Sequence, residues 1–104
     1  MYKVVATSLA DSDLDDIFEY IASDLASPKT AADVVVRMYE AIASLANFPL
    51  RHPLIQDNYL AKQGYRFMVV KNYVAFYVVD EQLKRVIVHR VLHVKQSYLR
   101  LLRP

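Results

Sequence analysis

Apolar residues recur at Leu14, Ile17, Phe18, Ile21 and Leu25, the spacing that stacks side chains along one face of an α-helix. Ser8 with Asp11, and Ser12 with Asp15, stand in the S-x-x-D relation of a capping box, so a helix is expected to begin in this stretch. A second stripe, Ala31, Val34, Val35, Met38, Ile42 and Leu45, follows Ser27-Pro28, where proline suits a first helical turn. It stops at Phe48-Pro49. Two amphipathic helices joined by so short a break predict an αα-hairpin, and each apolar stripe needs something to cover.

The rest of the chain supplies it. Residues 2–7 are β-prone and short, and read as a first strand. The segments 65–71, 73–80 and 85–93 are rich in β-branched and aromatic residues and are punctuated by Lys71-Asn72 and Asp80-Glu81-Gln82. Tyr73 to Val79 is apolar on both faces, as a central strand requires. Residues 48–63 show no period and hold two prolines, which predicts a long loop. Ser97 to Leu102 reads as one last helical turn. The expected fold is α+β in a single domain over residues 1–104: an N-terminal strand, a helical hairpin, then a three-stranded antiparallel meander, the four strands forming one sheet against the hairpin.

Composition narrows the setting. With 55% hydrophobic and 23% charged residues the 104-residue chain has the makings of a folded core. It has no Cys, hence no disulfide and no thiolate metal site. No apolar run approaches the ~20 residues that span a bilayer. The N-terminus turns acidic too early for a signal peptide, so a cytoplasmic location away from membranes is expected.

Charge is partitioned along the chain. Residues 1–61 carry four Lys/Arg against nine Asp/Glu, and residues 62–104 carry nine against two. The acidic cluster Asp13, Asp15, Asp16 and Glu19 is accounted for by the helix dipole and solubility. The basic half suits a polyanion or an acidic protein segment.

Candidate chemistry sits in that half. Arg66 and Arg90 are embedded among apolar strand residues, and a buried guanidinium there needs an exposed face, a carboxylate or a bound phosphate. Carboxylates are scarce nearby, which favours phosphate. His93 at the end of the last strand, with Lys95, Tyr98 and Arg100 close behind, completes an inventory for metal-free RNA cleavage. One group would take the 2′-hydroxyl proton, cations would stabilise the phosphorane, and another group would protonate the leaving oxygen. Arg66, Arg90, His93 and Tyr98 are therefore the candidate catalytic residues. Lys62, Lys71, Lys95 and Arg100 are the candidate phosphate- or RNA-binding cations. No cofactor is expected, since a single Gly cannot form a nucleotide-binding loop. No metal is expected either: His89 and His93 would lie about 13 Å apart on one strand face. His52, alone in the loop, carries little weight.

Segments spread along nearly the whole chain resemble the RelE/ParE superfamily of toxins from type II toxin–antitoxin modules. They are Asp13 to Ile17 with Tyr20 to Ala22, then Leu45 to Pro49, Gly64-Tyr65-Arg66, Asn72 to Tyr77 and Arg90 to His93. The resemblance implies the fold described above and a toxin restrained by a cognate antitoxin. It implies one of two activities: metal-independent cleavage of translated mRNA at the ribosome, or, as in the ParE branch, inhibition of DNA gyrase by binding. The first is preferred here. Arg66 matches the arginine of the Y-R strand, Arg90 the last-strand arginine, and His93 the place of a catalytic histidine in some nuclease members. Pro49 is followed by Leu50-Arg51 where the family often has Gly-Arg, and R-V-L-H occurs in both branches.

Overall fold

The computed structural model describes residues 1–103. Strand β1 (Lys3–Ala6) leads into α1 (Ser8–Glu19), which continues into a π-helical turn at Tyr20–Asp24. Helix α2 (Pro28–Ser44) returns antiparallel, and a 3-10 turn (Pro49–Arg51) and a short α3 (Asn58–Lys62) follow. Strands β2 (Arg66–Val70), β3 (Tyr73–Asp80) and β4 (Arg85–His93) form the expected antiparallel meander, and a short α4 (Tyr98–Leu102) follows. Strand β1 joins the sheet at its far edge, parallel to β4, giving the order β1-β4-β3-β2. Strand β3 is thus internal, as its two apolar faces require.

Local chemistry sets the helix ends. The N-cap of α1 is Thr7, neither Ser8 nor Ser12: its Oγ1 accepts from Ala10 N (3.1 Å) and donates to His89 O (2.8 Å). A tertiary acceptor on β4 thereby selects the cap among several competent residues. Pro28 occupies the first turn of α2, where its missing N–H costs nothing.

The main core lies between the hairpin and one face of the sheet. Ala10, Leu14, Ile17 and Ile21 from α1 and its π turn, with Ala31, Met38, Ile42 and Leu45 from α2, meet Met68, Ala75, Tyr77, Val86, Val88 and Val91. Phe18 and Leu25, expected on the same stripe, stay 38% and 55% exposed. Phe18 sits about 100° around the helix from Ile17, and the wider π turn shifts the phase before Leu25 is reached.

A second, smaller core covers the opposite face. Ile55, Leu60, Phe76 and Leu92 are buried there, flanked by Tyr65, Phe67, Tyr98 and Leu102. The segment expected to be a long loop therefore has structure of its own. Asp57 Oδ1 caps α3 through Leu60 N (2.9 Å), and the Pro53–Ile55 stretch hydrogen-bonds to β2 through Phe67 N→Pro53 O and Ile55 N→Tyr65 O (both 3.1 Å).

Strict alternation along β4 fails at one point. Phe76 pairs with Arg90 and Tyr77 with Val88, so His89 is an extra residue, a β-bulge. Past it the faces exchange: Val91 joins Val86 and Val88 under the hairpin, and Leu92 moves to the second core. A one-residue slip does this because the side-chain period of a strand is two.

Candidate functional site

Arg90 is the clearest departure from expectation. Its Nε and Nη2 donate to Asp13 Oδ2 and Oδ1, both at 2.8 Å, and Asp13 Oδ2 also accepts from Val91 N (2.9 Å). The two side chains are 17% and 10% exposed. This forked pairing raises the guanidinium's pKa above its ordinary value, the hydrogen bonds it donates to Asp13 outweighing burial. Carboxylates are scarce in the basic half, but the partner comes from the acidic half, through α1. Asp13 is thus not part of a solvated acidic cluster. The clue lay in its spacing, since it falls three residues after Ala10 and four before Ile17, on the buried stripe.

Arg66 is also engaged, by backbone. Its Nη1 donates to His52 O (2.7 Å) and more weakly to Leu50 O (3.4 Å), pinning the loop that enters β2. Nor does it lie near His93. Arg66 pairs with Tyr77 and His93 with Tyr73, four residues apart on β3. That separates them by about 13 Å along the strands and by two strand spacings, roughly 10 Å, across the sheet. In this arrangement Arg66 is turned to the His52 carbonyl and Arg90 to Asp13, and the two arginines and His93 do not converge on one point.

His93 itself occupies an organised corner. Its backbone N donates to Gln96 Oε1 (2.9 Å), and its Nδ1 accepts from Lys95 N (3.1 Å), which in the neutral ring leaves the proton on Nε2. The ring meets Tyr73 edge-on at 5.4 Å. His93 lines two grooves. One, about 530 Å³, lies between α1 and the end of the sheet and includes Asp16, Tyr20, Tyr73 and Lys95. The other, about 380 Å³, lies on the outer face and includes Leu54, Phe67, Val69, Val74, Phe76 and Tyr98. Tyr98 is stacked on Phe76, ring centres 5.3 Å apart, so its ring acts first as packing.

The candidate cations are spread out. Lys71, in the left-handed turn after β2, and Lys95, just past β4, share one end of the sheet, where Val94 N bonds Asn72 O (2.9 Å). Lys62 and Arg100 belong to α3 and α4 on the outer face. All four are exposed and carry no ion pair among the described residues, whereas Lys84, Arg85, Arg90 and Arg103 each face a carboxylate. No three His, Asp or Glu gather as a metal site among the described residues, and none of their helices is long and apolar enough to cross a membrane.

Two other histidines are partly sequestered. His52 has a buried Nε2 without a partner and stands edge-on to Tyr77 at 6.3 Å, and His89 stands edge-on to Tyr65 at 5.1 Å. Burial lowers both pKa values, with Arg51 adding to the effect at His52. The unfolded chain therefore binds these protons more tightly than the fold does. Their contribution is intact above about pH 6.5, the unfolded value, and is lost as pH falls toward the folded values. The urea midpoint should drop between pH 7.5 and 5.5, and a His52→Gln/His89→Gln double variant should show a smaller drop.

No curated protein matches the sequence. The fold is similar to that of a chain of the chromosomal ParDE toxin–antitoxin system from P. aeruginosa, at a TM-score of 0.74 and 20% identity, over 89% of this chain and 96% of that one. A chain of the RelBE2 toxin–antitoxin complex from Mycobacterium tuberculosis is similar at a TM-score of 0.59 and 22% identity, over 88% and 96%. The family model described as the ParE toxin of the type II toxin–antitoxin system parDE matches residues 4–98. A match over nearly the whole folded chain is decisive: this protein belongs to the ParE toxin family of type II toxin–antitoxin systems.

Proposed function

We propose that this toxin acts by binding DNA gyrase, without cutting nucleic acid, and that a cognate antitoxin restrains it. One observation carries the reading against RNA cleavage: Arg90 is committed to Asp13, and Arg66 lies at the other end of the sheet from His93. A phosphorane needs its cations preorganised within hydrogen-bond reach of one phosphate. A binding inhibitor needs no such convergence.

The alternative is the metal-independent endoribonuclease acting on translated mRNA at the ribosome. Its support is the groove in which His93 and Lys95 lie with Tyr20 and Tyr73, a histidine and a cation beside two phenols. For the antitoxin, the outer groove offers apolar anchorage along Leu54, Phe67, Val69 and Phe76, and the exposed cations Lys71, Lys95 and Arg100 complement an acidic amphipathic segment.

Pulse labelling after tightly controlled induction separates the two activities. Thymidine incorporation is expected to fall before methionine incorporation, and His93→Ala is expected to keep full toxicity. Early loss of methionine incorporation, abolished by His93→Ala, would replace gyrase binding with RNA cleavage.

A further inference from the structure

The segment from Asn47 to His52 is held more firmly than a connector needs. Arg51 Nη1 donates to Asn47 O (2.5 Å) and Phe48 O (3.2 Å), and its Nη2 to Ser44 Oγ (2.9 Å). The buried Tyr77 hydroxyl donates to Pro49 O (2.6 Å), and Arg66 holds His52 O from the other side. At the centre sits Phe48, with φ 50° and ψ 56°. Left-handed backbone is disfavoured for a bulky side chain, and a residue before proline is normally extended, so Phe48 is constrained twice. Phe48 is nevertheless 83% exposed, so packing within this chain does not explain the arrangement. Met1 and Leu50, 95% and 50% exposed, lie beside it around a shallow groove.

We infer that Phe48 is the anchor by which the toxin grips its protein target, its ring entering an apolar pocket on gyrase. This inference rests on the gyrase reading above. Strain held in place by a surrounding network marks functional positions. A rigid, exposed aromatic is the kind of side chain that dominates binding energy once buried, since little entropy is lost on docking. The shape selects the partner. An antitoxin segment that folds on binding brings its own side chains into the toxin's grooves, whereas a protruding ring needs a pocket, which a folded partner supplies. The position agrees. Phe48 lies at the end where β1, β2 and β4 begin, near the Tyr2 N–Ala46 O bond, while Lys71 and Lys95 lie at the end where β2 and β4 finish.

The test compares full-length toxin with Phe48→Ala and Phe48→Asn, the latter because asparagine accepts left-handed backbone. Affinity for immobilised gyrase, affinity for the antitoxin and the urea midpoint are read for each. Both variants are expected to lose at least tenfold in gyrase affinity while keeping antitoxin affinity and folding. Unchanged gyrase affinity would overturn the inference and leave the gyrase reading standing. Parallel loss of antitoxin affinity would also overturn it, assigning the ring to the antitoxin. Wild-type toxin that fails to bind gyrase would remove the reading itself, and the inference with it.

Discussion

Asp13→Ala is expected to destabilise the fold by about 3–5 kcal/mol, the usual cost of removing one partner from a buried ion pair. The carboxylate satisfies the Arg90 guanidinium twice and the Val91 N–H once, just past the bulge at His89. Without it, a nearly buried cation and a buried backbone donor both lose their acceptor. For a domain whose whole stability is on the order of 5–15 kcal/mol, that is close to unfolding. Urea denaturation of the variant measures it. A second variant shows the cause: Asp13→Leu combined with Arg90→Met should recover much of the loss, because an apolar pair of similar volume removes the unpaired charge. A loss below about 1 kcal/mol in Asp13→Ala would mean that water replaces the carboxylate at little cost.

Tyr77→Ala is expected to cost about 3–5 kcal/mol, as large-to-small changes of core aromatics do. Tyr77 is fully buried in the main core, and its hydroxyl ties that core to the Phe48 loop through Pro49 O. Tyr77→Phe separates packing from tethering. It keeps the ring, leaves the carbonyl without its donor, and should cost about 1–3 kcal/mol. It should also make the peptide bonds around Phe48 easier to cleave in limited proteolysis. Equal protection of that loop in Tyr77→Phe and wild type would show that Arg51 and Arg66 hold it unaided.

Much of this molecule can be read from the chain. The stripes Leu14-Ile17-Ile21 and Ala31-Met38-Ile42-Leu45 specify two helices, and the bounds of β3 and β4 follow from β-branched and aromatic runs between turn residues. These depend on sterics and side-chain periods acting over a few residues, which a sequence records directly. The segments from Asp13 to His93 were enough to indicate the superfamily. Legibility ends where two distant segments meet. Arg90 finds its carboxylate 77 residues away, on a helix whose acidic residues otherwise face water. The bulge at His89 reverses the faces of β4 after that point, and no local signal in Val88-His89-Arg90 announces it. The sequence set out arginines, a histidine and a tyrosine suited to cutting RNA. Only the pairing of β2, β3 and β4 decided that Arg66 and His93 stand at opposite ends of the sheet, because register is fixed by which rows of side chains the helical hairpin buries.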